Sequence, residues 1–298
     1  MFVIFGAGGN VGKVSVAALR RAGREVRAVV HSVAQADAFE RIGCEVAVAD
    51  LHDRAAVARA LENARAVQIV CPLPRHDDDP TNAMRDMIDV SVEALRANPP
   101  LHVLALSDYG AEQASGTGIT TLFHYLETQL GTVDTRLTFL RAAEHMHNWV
   151  RVLPLALSKG VLPSLHHPLE KRFPTVAAQD VGALAAQLLL DGEPRERSPR
   201  VVSIESEERV SVKDVARIIG KLSGRPVVPH AVPREQWAAM LEGAGLGEQH
   251  ARLIVDLYDA HNAGRIDVQT GVSERRFGPT TLTQALAAIV PQNAAQNV

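Results

Sequence analysis

The sequence predicts an α/β protein: a Rossmann-type doubly wound parallel sheet with a smaller, mixed α/β C-terminal domain. Three observations carry this. Short apolar runs alternate with helix-period stretches over the first two-thirds of the chain. A glycine-rich turn follows the first run at once. Near residue 150 the rhythm breaks into proline- and glycine-punctuated segments, at Pro154, Gly160, Pro163 and Pro168. Strands that alternate with helices must be joined by crossovers, and crossovers give parallel pairing with helices on both faces.

The elements follow in order. Phe2 to Phe5 is the first strand, and Val11 to Ala22 reads as a helix closed by Gly23. Val26 to Val30 is the second strand, Val33 to Ile42 a helix ending at Gly43, and Glu45 to Ala49 the third strand. Asp53 is placed to cap a helix with Val57 and Leu61 on one face. Ala66 to Cys71 is the fourth strand, stopped by Pro72 and Pro74, and a long helix runs through Met84, Met87 and Val92. Leu101 to Leu106, a helix from Leu122 to Leu130, and a strand from Arg136 to Leu140 complete this part. Beyond it, Ala177 to Leu190 is helical, Val201 to Ile204 a strand, and Ser211 caps a helix through Val215 and Ile219. Residues 1–150, with about 175–200, are expected to form the nucleotide-binding domain. Residues 151–174 and 201–298 are expected to form the substrate or lid domain, over the carboxyl ends of the strands. The tail from Pro291 to Val298 reads as frayed.

Composition excludes several classes. The 298 residues are 46% hydrophobic and 22% charged, enough for a core without disulfide staples. A net charge of −3 argues against a nucleic-acid partner. Two cysteines, Cys44 and Cys71, both in apolar runs, suit a reduced, cytoplasmic protein. No apolar run reaches the roughly 20 residues of a membrane span, and the N-terminus reads as a strand rather than a signal peptide.

The most informative segment is Gly6-Ala7-Gly8-Gly9-Asn10-Val11-Gly12, between a strand and a helix. Glycines there let the backbone turn sharply and approach a pyrophosphate, whose charge rests on free amides at a helix N-terminus. Val11 stands where G-x-G-x-x-G requires its last glycine; Gly6-x-x-Gly9-x-x-Gly12 fits instead, the spacing of extended short-chain dehydrogenase-type proteins. An NAD-preferring site places a carboxylate at the end of the second strand to hold the ribose; here His31 and Ser32 stand there, with no carboxylate before Asp37. With Lys13 close to the turn, this favours NADP, with NAD the alternative. Asp50 and Leu51 are placed to border the adenine. Cys71, Pro72 and Leu73 are placed to line the way to the nicotinamide.

Short-chain dehydrogenases commonly use Tyr-x-x-x-Lys, in which the lysine lowers the tyrosine pKa. Here Tyr109, Tyr125 and Tyr258 are followed four residues on by Gln113, Gln129 and Asn262, and no lysine stands between Lys13 and Lys159. A standard alcohol dehydrogenase, or an isomerase or epimerase using bound nicotinamide, is therefore disfavoured. Ser107, Asp108 and Tyr109 follow the fifth strand, facing the expected nicotinamide. Ser107 is a candidate to hydrogen-bond a carboxamide or substrate carbonyl, and Tyr109 to stack or donate a proton. His124 is a candidate proton donor or ribose ligand. His145 and His147, two residues apart, share a face only in extended chain and lack a third ligand, so no metal is expected. His76-Asp77-Asp78-Asp79-Pro80 reads as a solvated loop entering a helix, and His166-His167 as loop surface or cleft lip.

The glycine turn, the stretch from Gly43-Cys44-Glu45-Val46 to Asp50-Leu51-His52-Asp53, and Leu137-Thr138-Phe139-Leu140-Arg141 followed by His147-Asn148 resemble the NmrA-like family, atypical relatives of the short-chain dehydrogenases. Phe173-Pro174 to Gln179-Asp180-Val181-Gly182 and Ser211-Val212-Lys213-Asp214 extend the likeness over nearly the whole chain. The resemblance implies a nicotinamide-binding fold. It offers two roles: an NAD(P)H-dependent reductase of a small aromatic or quinone-like acceptor, or a nicotinamide redox sensor acting on a protein partner. It also implies that His145, His147 and Asn148 wall the substrate cleft, and it favours His124 at the start of the helix after the fifth strand. His31 departs from the arginine that commonly ends the family's second strand. The oligomeric state is left open.

Overall fold

In a computed structural model, residues 1–74, 77–192 and 199–290 are described. His76 and the tail from Pro291 lie outside them. The strands are Phe2–Phe5 (β1), Val26–Val30 (β2), Glu45–Val48 (β3), Ala66–Ile69 (β4), His102–Asp108 (β5), Arg136–Ala142 (β6), Glu144–His145 (β7), Val161–Ser164 (β8), Thr175–Val176 (β9), Arg200–Ser206 (β10), Val228–Ala231 (β11) and Glu274–Gly278 (β12). Eight of them form one parallel sheet in the order β12-β10-β6-β5-β4-β1-β2-β3. The chain leaves β1 toward β2 and β3, then returns to the other side of β1 with β4. That reversal makes the crevice beside β1 the topological switch point, where ligands of open α/β sheets bind.

Helices cover both faces. Gly12–Arg21 (α1), Ala36–Glu40 (α2) and, later, Ala178–Leu190 (α7) lie on the face that buries Ile4, Val16, Leu19 and Val181. Arg54–Ala60 (α3), Pro80–Ala97 (α4) and Thr120–Leu130 (α5) lie on the face that buries Val3, Val57, Met84 and Leu122. Local chemistry sets several boundaries. Asp53 accepts from the Ala55 and Ala56 amides at 2.9 and 3.0 Å, so it caps α3 as expected. The helix expected over 33–42 is instead a 3-10 turn at Val33–Gln35 followed by α2.

The remaining helices are Leu153–Lys159 (α6), Val212–Ser223 (α8), Trp237–Gly243 (α9), Glu248–Asn262 (α10) and Leu282–Ala287 (α11). α6, α8 and α11 pack with Trp149 and Phe173 in one satellite core, and α9 and α10 pack in another around Trp237. The main sheet crosses the division expected at residue 201. β10 pairs with β6 through Val202 and Leu140, and β12 pairs with β10, so both extend the sheet rather than the lid. The run Val201-Val202-Ser203-Ile204 suits a buried parallel strand, whereas the sequence of β12, Glu-Arg-Arg-Phe-Gly, has no apolar period and edges the sheet with charge. No described helix is long and apolar enough to cross a membrane.

Candidate nucleotide site and acceptor cavity

The glycine turn leaves β1 and enters α1. Gly6 has φ of +67°, and a Cβ there would meet Val70 Cγ1 at 2.4 Å. Gly12 admits no side chain either, because its Cβ would stand 2.2 Å from the Gly6 carbonyl oxygen. Val11 is the N-cap, makes no side-chain cap, and no acidic residue lies in the first turn. The Gly9 amide is taken by the Gly6 carbonyl at 3.0 Å and that of Lys13 by Gly9 at 3.1 Å. The amides of Asn10, Val11 and Gly12 find no acceptor among the described residues. A helix start with free amides and no capping carboxylate is built for an anion. The Gln35 side chain lies over Gly8, with Nε2 2.6 Å from where a Cβ would stand, and its buried Oε1 has no partner among the described residues. The residues present therefore fit a dinucleotide pyrophosphate. Gln35 is a contributor that sequence reasoning missed; its signal is only a position three residues after the helix-capping Ser32.

Around the turn, Lys13 is exposed and its Nζ donates to Asn10 Oδ1 at 3.3 Å. His31 and Asp50 are exposed at the ends of β2 and β3, and Asp50 Oδ1 accepts from the His52 amide at 2.9 Å. Pro72 is exposed and Leu73 half-buried after β4. Cys71 corrects an expectation: its thiol is fully buried in the core, and burial pushes it up to about 12, against a hydrogen bond from Ser91 of α4. Only its backbone is left for a ligand.

The carboxyl ends of β5 and β6 hold a charged network. Ser107 and Arg141 face each other in register. Ser107 Oγ donates to Glu127 Oε1 at 2.6 Å, and Arg141 grips Glu127 with Nε at 2.8 Å and Nη2 at 2.6 Å. Arg141 Nη1 also reaches Glu112 Oε2 at 2.8 Å and Gln269 Oε1 at 2.7 Å. Burial opposes the guanidinium charge, but Glu127 and Glu112 outweigh it and raise the Arg141 pKa. Asp108, at the end of β5, is half-buried, and burial raises its carboxyl to about 7. The Thr120 hydroxyl, donating at 3.0 Å, and the Tyr109 amide pull it down again, while Glu144 pushes it up.

Tyr109 is a second correction. It is 2% exposed, its ring packs into the core with Ile4 and Leu106, and its hydroxyl has no partner among the described residues. Burial, then the charge of Glu205, raises its pKa, so it neither stacks on a ligand nor offers an acidic proton to the crevice. His124 Nδ1 lies 2.9 Å from the Ala111 carbonyl. Since a carbonyl only accepts, Nδ1 carries the hydrogen, and Nε2 of the neutral ring is an acceptor.

Past β6 the chain enters β7, and the rings of His145 and His147 lie 5.2 Å apart. Burial, then the neighbouring His147, lowers His145 to about 4, and the Nδ1 atoms of both rings are buried without partners among the described residues. Burial also lowers His147, followed by the charges of Arg151 and Lys13. Among the described residues no group of three or more metal-ligating side chains occurs. Asn148 does line a cavity, of about 410 Å³, between this segment and the α9–α10 pair. Its walls include Trp149, Leu155, Met240 and Ile254, and its polar lining includes Glu144, Arg151, His166 and Tyr258.

The grouping of Glu144, His166 and Tyr258 was not legible in the sequence. His166, expected at a loop surface or cleft lip, lines the cavity but is 3% exposed and stacked on Phe173 with 3.8 Å between ring centroids. Its Nε2 is 2.8 Å from Glu144 Oε2, and the Tyr258 hydroxyl donates to Glu144 Oε1 at 3.3 Å. Burial alone would raise the Glu144 carboxyl, but the rings of His166 and His261 and the Tyr258 hydroxyl outweigh it and hold it below the usual range.

Comparisons with known proteins agree with this geometry. Residues 6–192 match the NAD(P)H-binding family and residues 124–285 the NmrA-like family. A NAD(P)H azoreductase of Xenophilus azovorans is 24% identical over 260 residues, covering 87% of this chain and 86% of that protein. Quinone oxidoreductase 2 of Escherichia coli is 22% identical over 286 residues, covering 94% and 95%. Among solved structures, triphenylmethane reductase of Citrobacter sp. complexed with NADP(H) has a TM-score of 0.81 at 19% identity, covering 97% of this chain and 100% of that one. The chain shares that fold over 97% of its length, and it belongs to the NmrA-like family of NAD(P)H-binding proteins.

Proposed function

We propose that this protein is an NADPH-dependent reductase that delivers hydride to a small, flat, conjugated acceptor such as a quinone. The observation that carries this reading is an uncapped glycine cradle at the switch point of the sheet, in a chain that also holds a largely apolar cavity whose Glu144 follows β6 by two residues. Relatives named for azo and quinone reduction, at 24% and 22% identity, support the same class. Bound reduced nicotinamide supplies the hydride.

The protein's part is to bind, orient and exclude water. The amides of Asn10, Val11 and Gly12 hold the pyrophosphate, with Lys13 and Gln35 beside it. His31 and Ser32, in place of a carboxylate, leave room for a 2′-phosphate without repulsion. Ser107 commits its hydrogen to Glu127 and keeps lone pairs to accept from a carboxamide. The acceptor-type Nε2 of His124 suits a ribose hydroxyl better than acid catalysis. Holding two flat reactants face to face does most of the work, because a conjugated acceptor delocalises the charge it receives.

The test is a titration with NADPH and NADH, followed by steady consumption of the reduced nucleotide with a panel of quinones and dyes. Tighter binding of NADPH, with acceptor-dependent turnover, is expected. Tight binding without turnover by any acceptor would overturn the reductase reading and leave a nucleotide-sensing role.

A further inference from the structure

Hydride delivery to a quinone leaves an oxyanion, and the chain lacks the Tyr-x-x-x-Lys pair that commonly supplies a proton in relatives of the short-chain dehydrogenases. We propose that Tyr258 of α10 is the catalytic proton donor to an acceptor in the cavity, and that the Glu144–His166 pair behind it restores its proton. The inference rests on the reductase reading.

Three features of the cavity carry it. Glu144, His166 and Tyr258 line it together with apolar Trp149, Leu155, Met240 and Ile254, so a flat acceptor packed on the apolar side chains has these polar groups available to its oxygen. The three side chains are linked in one line: Tyr258 hydroxyl to Glu144 Oε1 at 3.3 Å, and Glu144 Oε2 to His166 Nε2 at 2.8 Å. The 3.3 Å bond is loose, so Tyr258 turns its hydrogen to a nearby oxyanion at small cost. Stacking on Phe173 and the edge-on ring of Tyr258, 4.9 Å from that of His166 by centroid, fix the imidazole in this line. Glu144 stands two residues past the end of β6, and the carboxyl ends of the strands are where ligands of doubly wound folds bind.

The step balances as follows. Hydride leaving the nicotinamide C4–H bond would bond to a quinone ring carbon conjugated with a carbonyl, with NADP⁺ as the oxidised product, and the displaced π pair moves onto the carbonyl oxygen. That oxygen takes the Tyr258 proton. The phenolate left behind is reprotonated through Glu144, as His166 releases its Nε2 hydrogen and takes another from solvent at Nδ1. Burial, then the charge of Glu144, raises the Tyr258 pKa well above its ordinary value, and the same apolar surroundings raise the basicity of an oxyanion formed beside it.

The experiment compares two acceptors in wild type and Tyr258→Phe. A quinone needs a proton to complete reduction, whereas a cationic triarylmethane dye becomes neutral on receiving hydride and needs none. With Tyr258→Phe, kcat for the quinone is expected to fall about a hundredfold, with the loss for the dye at least about tenfold smaller. Glu144→Gln is expected to show the same selectivity, because an amide cannot hold the proton. A readout independent of turnover is quinone quenching of tryptophan fluorescence in nucleotide-free protein, Trp149 being a cavity wall. Tyr258→Phe should weaken that binding about tenfold through the lost hydrogen bond. Equal losses on both acceptors, no loss with the quinone, or quinone binding indifferent to Tyr258 would each overturn the inference. If wild type turns over neither acceptor, the reductase reading fails by itself, and the quenching titration still decides the role of Tyr258.

Discussion

Arg141 of β6 and Glu127 of α5 form a two-point ion pair, with nitrogen–oxygen distances of 2.8 and 2.6 Å, in a site where their side chains are 5% and 10% exposed. The pair ties a helix to the carboxyl end of β6, and Ser107 donates to the same carboxylate. Removing one partner leaves the other charge buried.

Arg141→Met should therefore cost about 3–5 kcal/mol in urea unfolding, while the double variant Arg141→Met/Glu127→Met should recover much of that loss. A single-variant cost below about 1 kcal/mol would show that water reaches the pair and that it is no structural tie.

Gly12→Ala should weaken NADPH binding at least about tenfold and lower stability by about 1–3 kcal/mol, because its methyl group would stand 2.2 Å from the Gly6 carbonyl oxygen and force the cradle apart. Gly243→Ala, at a helical glycine with open space around it, is the control and should leave binding as it was. Calorimetric titration of both variants checks the pair. Normal NADPH affinity in Gly12→Ala would detach the turn from the pyrophosphate.

Lys13→Ala should weaken NADPH and NADH alike, by roughly five- to tenfold, since the ammonium folds back onto Asn10 of the glycine turn at 3.3 Å, where both nucleotides carry their pyrophosphate. A loss confined to NADPH would assign the lysine to the 2′-phosphate instead. Paired titrations with the two nucleotides separate these outcomes.

Stability should carry the signature of Asp108. Its folded pKa of about 7 lies above the value near 4 of an unfolded aspartate, so between these limits the folded state keeps a proton that the unfolded chain releases. The stabilising contribution is present in full below about pH 4 and is lost as pH rises to about 7. Asp108→Asn should then raise stability at pH 8 by roughly 1–3 kcal/mol and change little at pH 4, as read from thermal unfolding without nucleotide. An equal shift at both pH values would mean that Asp108 is already ionised across the range.

The sequence by itself determined the layered α/β architecture, the glycine cradle and the likeness to the family, because each is written in neighbouring residues. Strand and helix periods repeat every two or so and every three or so positions, and a phosphate turn must place its glycines within one loop. Even there, local reading went astray where the chain turns a side chain inward. Tyr109 and Cys71 sit at the carboxyl ends of strands, yet both point into the core. Only the tertiary structure brought Glu144, His166 and Tyr258 together. Glu144 meets His166 across 22 positions and Tyr258 across 114, and β12 joins the sheet with no apolar pattern to announce it. Contacts between distant segments depend on how helices and strands pack, and packing leaves no period in the residues that happen to meet.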